Sequence, residues 1–391
     1  MLAAGSAMCA SIPLLSGAGA AGGPVARYDI RAGTTSGMGM GAMGGGGMMG
    51  MMFGGGGGNN WQYELLLRLG SSDAPAKGSP RAEHFMPPGA KLGKSVLLTG
   101  GGKGEAVDEM PEKPKGRLLL FWGCGAATPK GQPVVIDFAK LAAGQMPPGL
   151  WSTTILRDYG PTAENSRTFA RWPSEDGKFV KADSSLRGAH RVVSNYAPEI
   201  AFTAVNDFMA PLKVTSRQQA GGATVLSWAG IPGATGYLAS IMGGKMGPND
   251  QMGDMVMWTS SASRQFGGGL ADWLSPAQVA KLVADKTVMP PSATSCVVPV
   301  QVTQAAPDFR SGMLTAFGPE ENFAYPARPA DPQWTARIRH RSTTSWMDGM
   351  GMSMSDMEDA ENGAPSRNEQ PCKRKGGFGG MLGGVLGGSG C

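Results

Sequence analysis

Soft sulfur is the chemistry this chain offers most of. It holds 26 methionines in 391 residues, and most of them fall in three clusters. The first is Met38, Met40, Met43, Met48, Met49, Met51 and Met52; the second is Met242, Met246, Met252, Met255 and Met257; the third is Met347, Met350, Met352, Met354 and Met357. A thioether is neutral and polarisable and suits Cu(I). M-x-M and M-x-x-M spacing lets a pliant segment wrap several sulfurs around one ion. The third cluster, Met347, Met350, Met352, Met354 and Met357, is therefore the candidate metal set, with copper the implied cofactor. The competing reading is that methionine serves as an adaptable apolar filler and adhesive.

Other reactive residues are few. The five cysteines, Cys9, Cys124, Cys296, Cys372 and Cys391, form no C-x-x-C pair, which argues against zinc-ribbon and thioredoxin chemistry. Without the first 20 residues four remain, and four pair in three ways. Cys372 and Cys391 could close a loop on one tail, while Cys124 and Cys296 sit in strand-like contexts as buried thiols or disulfide partners. Cys124 lies between Gly123 and Gly125, so its sulfur is a candidate nucleophile, provided that a base forms the thiolate. His84 and His190 flank the same expected domain and are the candidate bases. The three histidines lack H-x-x-x-H and H-x-H spacing, which argues against zinc. Asp348, Asp356, Glu358 and Asp359 lack the spaced loop of a calcium site. Gly89 to Ser95 imitates a phosphate-binding loop, but three residues separate its glycines where four are needed, and a strand follows. Gly123-Cys124-Gly125 opens no helix and is no dinucleotide fingerprint. No G-x-S-x-G turn occurs. No complete catalytic motif emerges, and the expectation is a non-enzymatic protein.

The elements that must carry these residues are short and strand-like. Glycine is abundant, 62 residues, and charged residues make up 17%. Glycine does not recur every third residue, no apolar run is long enough for a membrane helix, and no heptad seam persists; collagen, a spanning helix and a long coiled coil are excluded. Net charge is +5, and the densest basic cluster is Lys373-Arg374-Lys375 without interleaved aromatics, so no nucleic-acid partner is expected. Residues 1–20 are small and apolar and end in Ala18-Gly19-Ala20, the pattern of an export signal. Residues 21–58 read as a Gly/Met-rich low-complexity linker; the stretch 37–58 carries no charge. Trp61 to Leu69 alternates with period two, and Lys94 to Thr99, Arg117 to Trp122 and Val134 to Phe138 continue the strand signal, giving a β-sandwich-like domain over 59–208. A second domain is expected over 209–346, with strands at Leu212 to Thr215, Ala223 to Trp228, Tyr237 to Met242, Cys296 to Val302, Met313 to Phe317 and Trp334 to His340. Ser275-Pro276-Ala277-Gln278 is a capping box with Pro at the first helical position, so a short helix is inserted near 275–285. Residues 347–391 form a low-complexity acidic and Gly-rich tail. In it Gly376, Gly380, Gly384 and Gly388 fall four apart, a spacing that suits self-association. The fold class expected is mainly β: two antiparallel sandwiches with Gly/Met-rich disordered tails.

The run LSWAGIPGATGY, Leu226 to Tyr237, resembles a fibronectin type III or immunoglobulin-like domain over residues 212–242. The resemblance implies that the tryptophan packs in the core and that the tyrosine opens the next strand. Trp346 to Met357 resembles the methionine-rich segments of periplasmic copper-resistance proteins. The chain as a whole is similar to uncharacterised secreted proteins of proteobacteria, through Arg117 to Leu141 and Met313 to Pro329, and no activity comes with that similarity. Together these readings imply an exported protein of the cell envelope, periplasmic, outer-membrane-associated or extracellular, that binds an envelope protein, a polymer or a membrane surface.

Overall fold

Alternation of side chains organises the molecule. The computed structural model describes residues 23–37, 61–100, 116–145, 152, 156, 158–174, 176–246, 252–267, 269–270, 273–327 and 331–348. Among these residues the fold is mainly β, with sixteen strands and three short helices. Nine strands form one sheet. They are β1 (Ala26–Gly37), β2 (Trp61–Ser71), β5 (Arg117–Trp122), β6 (Val134–Asp137), β7 (Thr168–Trp172), β12 (Gly236–Met246), β13 (Met252–Thr259), β15 (Phe309–Tyr325) and β16 (Trp334–Asp348), in the order β6-β5-β13-β12-β15-β16-β1-β2-β7. The strands β3 (Ala82–Phe85), β4 (Ser95–Leu98), β8 (Gly188–Ser194) and β9 (Ile200–Ala204) form a second sheet, ordered β4-β3-β8-β9. The strands β10 (Val214–Gln218), β11 (Thr224–Trp228) and β14 (Ser295–Val298) form a third, ordered β10-β11-β14.

Both small sheets pack on one face of the long sheet, because period two sends every second residue there. Tyr28, Ile30, Leu67, Leu69, Ala336 and Ile338 meet Val96, Val192 and Ile200 of the four-stranded sheet in one apolar core. Tyr237, Ile241, Trp258, Leu314 and Trp346 meet Leu226, Trp228 and Val298 of the three-stranded sheet in another. The connection between the small sheets, Val205 to Leu212, crosses the same face, and its backbone polar groups need partners there. Side chains of the long sheet supply them. Thr34 Oγ1 donates to Met209 O at 2.7 Å, Ser342 Oγ donates to Ala210 O at 2.8 Å, and Ser36 Oγ donates to Leu212 O. Glu321 accepts from Val205 N and Asn206 N at 2.9 and 3.1 Å. A polar band thus separates the two cores, and a partner lost from it leaves a buried group at a cost of about 1–3 kcal/mol.

On the opposite face, α1 (Phe138–Ala142), capped by Asp137, lies beside Leu118, Leu120 and Ile136. The helix α2 (Pro276–Ala284) buries Val279 and Leu282 against Leu238 and Phe317. Its capping box is formed as expected: Ser275 Oγ accepts from Gln278 N at 3.2 Å, and Ser275 N donates to Gln278 Oε1 at 2.8 Å.

The structure differs from the sequence expectation in four places. Residues 26–37, expected within a linker, form β1, whose Arg27-Tyr28-Asp29-Ile30-Arg31 alternation matches its place between β16 and β2. Strands from both sides of residue 208 share one sheet, and two of its pairings, β1 with β16 and β13 with β5, are parallel rather than antiparallel. The expected strand over Cys296 to Val302 stops at Val298, because Pro299 cannot donate to a ladder, and α3 (Val300–Ala305) follows. The strands β15 and β16 run well past their expected ends, because each is paired along most of its length with the other. Residues 1–20 and 349–391, expected to be an export signal and the tail, lie outside the described residues.

Candidate functional site

The outward face of the long sheet carries charge at one end. Alternation along β1 presents Arg27, Asp29 and Arg31 there, β2 presents Glu64 and Arg68, and β16 presents Arg337, Arg339 and Arg341. The register places Arg68, Asp29, Arg337 and Asn322 side by side across β2, β1, β16 and β15. Asp29 is 1% exposed. Arg68 Nε donates to it at 3.1 Å and Arg31 Nε at 3.2 Å, and Arg337 Nε also donates to it. A second carboxylate, Asp158, comes from the segment before β7. It accepts from Arg68 Nη2 at 2.8 Å, from Arg337 Nη2 at 3.1 Å and from Arg31 Nη2. Three guanidiniums thus share two carboxylates. Beside them Arg339 pairs with Glu320 and donates to Trp273 O at 2.6 Å, and Arg341 lies over the Trp273 ring, 4.0 Å from its centroid.

Burial alone would raise both carboxyl pKa values. The guanidiniums outweigh it: Arg337, Arg68 and Arg31 hold Asp29 below the usual carboxylate range, and Arg31 and Arg68 hold Asp158 well below it. Neither acid carries a proton at neutral pH, so neither serves as a general acid there. Their chemistry is to pin the Asp158 segment onto the sheet. Beside the cluster opens a groove of about 920 Å³, with Arg27, Tyr159, Asn322, Phe323 and Asp331 among its walls. Tyr159 is 72% exposed, and Arg27 Nη2 donates to Asn165 Oδ1 at 2.8 Å. The groove thus sets an exposed ring beside side-chain donors and acceptors.

The residues singled out in the sequence fall elsewhere. Cys124 is bonded to Cys296, with Cα atoms 5.3 Å apart, and therefore offers no thiolate. The bond ties the turn after β5 to β14, and Gly125 N donates to Val297 O at 2.8 Å beside it. Gly123 takes φ +94°, which explains the glycine before the cysteine. His84 and His190 lie in the other core, bonded to each other at 3.0 Å. His190 Nε2 lies 2.7 Å from Leu186 O, which only accepts, so Nε2 carries a hydrogen. With both rings neutral, His190 Nδ1 accepts from His84 Nε2, and His84 Nδ1 accepts from the Tyr28 hydroxyl at 2.8 Å. Burial lowers the pKa of both rings, and for His84 the neighbouring His190 adds to the effect. This one-way chain of hydrogen bonds satisfies a buried polar set, and the cysteine is not part of it. Met347 is at the end of β16, while Met350, Met352, Met354 and Met357 lie outside the described residues. Among the described residues, no group of three or more His, Cys, Asp or Glu is placed to hold a metal, and no helix is long and apolar enough to cross a membrane.

Sequence reasoning passed over the arginine and aspartate cluster. Its signal was present as R-x-D-x-R at Arg27 to Arg31 and R-x-R-x-R at Arg337 to Arg341. Alternation shows that such residues share a face, but not that the two strands are neighbours. No protein-family model, curated protein or solved structure matches this chain.

Proposed function

We propose that this chain is an exported, non-enzymatic binding protein of the cell envelope, working in the periplasm, at the outer membrane or outside the cell. The observation that carries the reading is the Cys124–Cys296 bond, which joins the long sheet to the three-stranded sheet across 172 residues of sequence. Disulfides form and persist in oxidising compartments. The same bond occupies the one cysteine with a nucleophile's setting. The similarity to secreted proteobacterial proteins points the same way.

The body is read as two sandwich units built on a shared sheet, with Gly/Met-rich disordered tails. Support for an immunoglobulin-type second unit comes from strand distribution. Of the seven strands β10 to β16, the first, second and fifth share one sheet, and the third, fourth, sixth and seventh share the facing one. Trp228 and Tyr237, the residues of the fibronectin-like run, lie together in the core with ring centroids 5.6 Å apart. Such a body presents grooves and sheet edges to a partner. The groove at Tyr159 favours a polar segment of an envelope polymer or protein, and the tails are suited to self-association. Fractionation of cells, with mass analysis of Cys124 peptides before and after reduction, tests the reading. The expected result is recovery outside the cytosol with Cys124 and Cys296 linked. Cytosolic recovery with free thiols would overturn it.

A further inference from the structure

The far end of the outward sheet face holds methionine where the near end holds arginine. On β12, Met242 pairs with Ser311 of β15, and Ser311 pairs with Met347 of β16. Met313 lies two residues beyond Ser311 on the same strand, paired with Ser240 and Ser345. All three methionines share one face, because their neighbours Ile241, Leu314 and Trp346 are turned into the core on the other side. Strands lie about 4.8 Å apart, and residues i and i+2 on a strand about 6.6–6.8 Å. Three methionine positions therefore flank Ser311, whose short side chain is exposed. Methionine has three rotatable bonds beyond its backbone, enough for the sulfurs to converge over that serine.

We propose that Met242, Met313 and Met347 form a Cu(I) site above Ser311. Exposure separates two of the three from ordinary apolar filling: Met242 is 47% and Met347 38% exposed, whereas Met255 and Met257 pack against the Leu118, Leu120 and Ile136 cluster; Met313 is half-buried between them. Met257 pairs with Met242 and forms an apolar wall beside the site. The ligand set is neutral and soft. Arg310, Asp348 and Asp254, close by in register, alternate to the opposite face, so among the described residues these carboxylates are turned away from the site. Cu(I) is the ion that such a set favours. Two of the ligands come from separate sequence clusters, and Met313 from neither. The site draws nothing from Met350 to Met357, and it rests on register and exposure rather than on export.

The test is anaerobic titration of purified full-length protein with Cu(I) against a colorimetric Cu(I) chelator. One Cu(I) per chain should be retained in competition. The combined Met242→Leu, Met313→Leu and Met347→Leu variant should bind at least tenfold more weakly, while keeping its thermal melt, because Met and Leu are close in volume. Met347→Leu alone, at an exposed position, should weaken binding several-fold and serves if the triple variant is unstable. Replacing Met350, Met352, Met354 and Met357 together by Leu should leave the affinity unchanged. Binding that survives the triple change, binding that vanishes with the tail change, or no retention of Cu(I) by the unaltered protein would each overturn the site. Cell fractionation bears on the export reading and leaves this result untouched.

Discussion

The two ends of one sheet face solve opposite problems on the same strands. At one end β15 and β16 present Glu320, Arg337 and Arg339, and the charges are consumed by partners within the molecule. At the other end the same strands present Ser311, Met313 and Met347, of which Ser311 and Met347 are exposed. Between them runs a row of threonines, Thr315, Thr343 and Thr35. The contrast shows how charge closes a surface. A buried guanidinium is tolerable only with carboxylates at hydrogen-bond distance, so the arginine end drew in Asp158 and became structure. A thioether makes no such demand and is left available.

The largest effect is expected where the charged end is broken. Asp29→Ala leaves three guanidiniums with one carboxylate between them and should cost roughly 3–5 kcal/mol in urea unfolding. A loss below about 1 kcal/mol would mean that the cluster is as dispensable as a surface pair. Replacing Cys124 and Cys296 together by Ala should cost roughly 2–5 kcal/mol, because the bond restrains a long unfolded loop; an unchanged denaturation midpoint under non-reducing conditions would argue that the two sheets are held together without it.

Acid should then separate the regions. The folded pKa values of Asp29 and Asp158 are depressed, so their contribution is fully present above the ordinary carboxylate pKa of about 3.9 and is lost as pH falls through the lower folded values. His84 and His190 are also depressed, and the unfolded chain takes up their protons first, so stability begins to fall below about pH 6.5. Unfolding free energy measured from pH 7 to about pH 1 should decline in two stages, and Asp29→Asn should flatten the lower stage alone. A single stage unaffected by Asp29→Asn would detach the cluster from acid stability. The smallest effect belongs to the open end. Met242→Leu and Met347→Leu should each change stability by less than about 1.5 kcal/mol, and a larger loss in thermal unfolding would mark those methionines as packing residues.

Much of the local structure was legible in the residues. Trp61 to Leu69 alternates and is β2, and Ser275 to Gln278 caps α2. Trp228 and Tyr237 meet in the core. The candidate chemistry was less legible. Cys124 and the histidines were weighed as one set because His84 and His190 flank the same expected domain, yet the histidines are buried while Cys124 is exposed and bonded to Cys296 of the other core. The choice among three cysteine pairings was likewise beyond reach of spacing.

The sequence by itself determined which side chains share a face, where strands stop at proline and where a helix is capped, because these follow from interactions within a few residues. Only the tertiary structure decided which strands are neighbours. It set β1 between β16 and β2, joined residues about 300 apart in the Asp29 and Arg337 pair, and brought Met242 and Met347 to either side of Ser311. The physical reason is that period-two alternation specifies a strand's inward side but is nearly blind to the identity of its partner. That identity is set by the total burial and hydrogen bonding of the finished sheet.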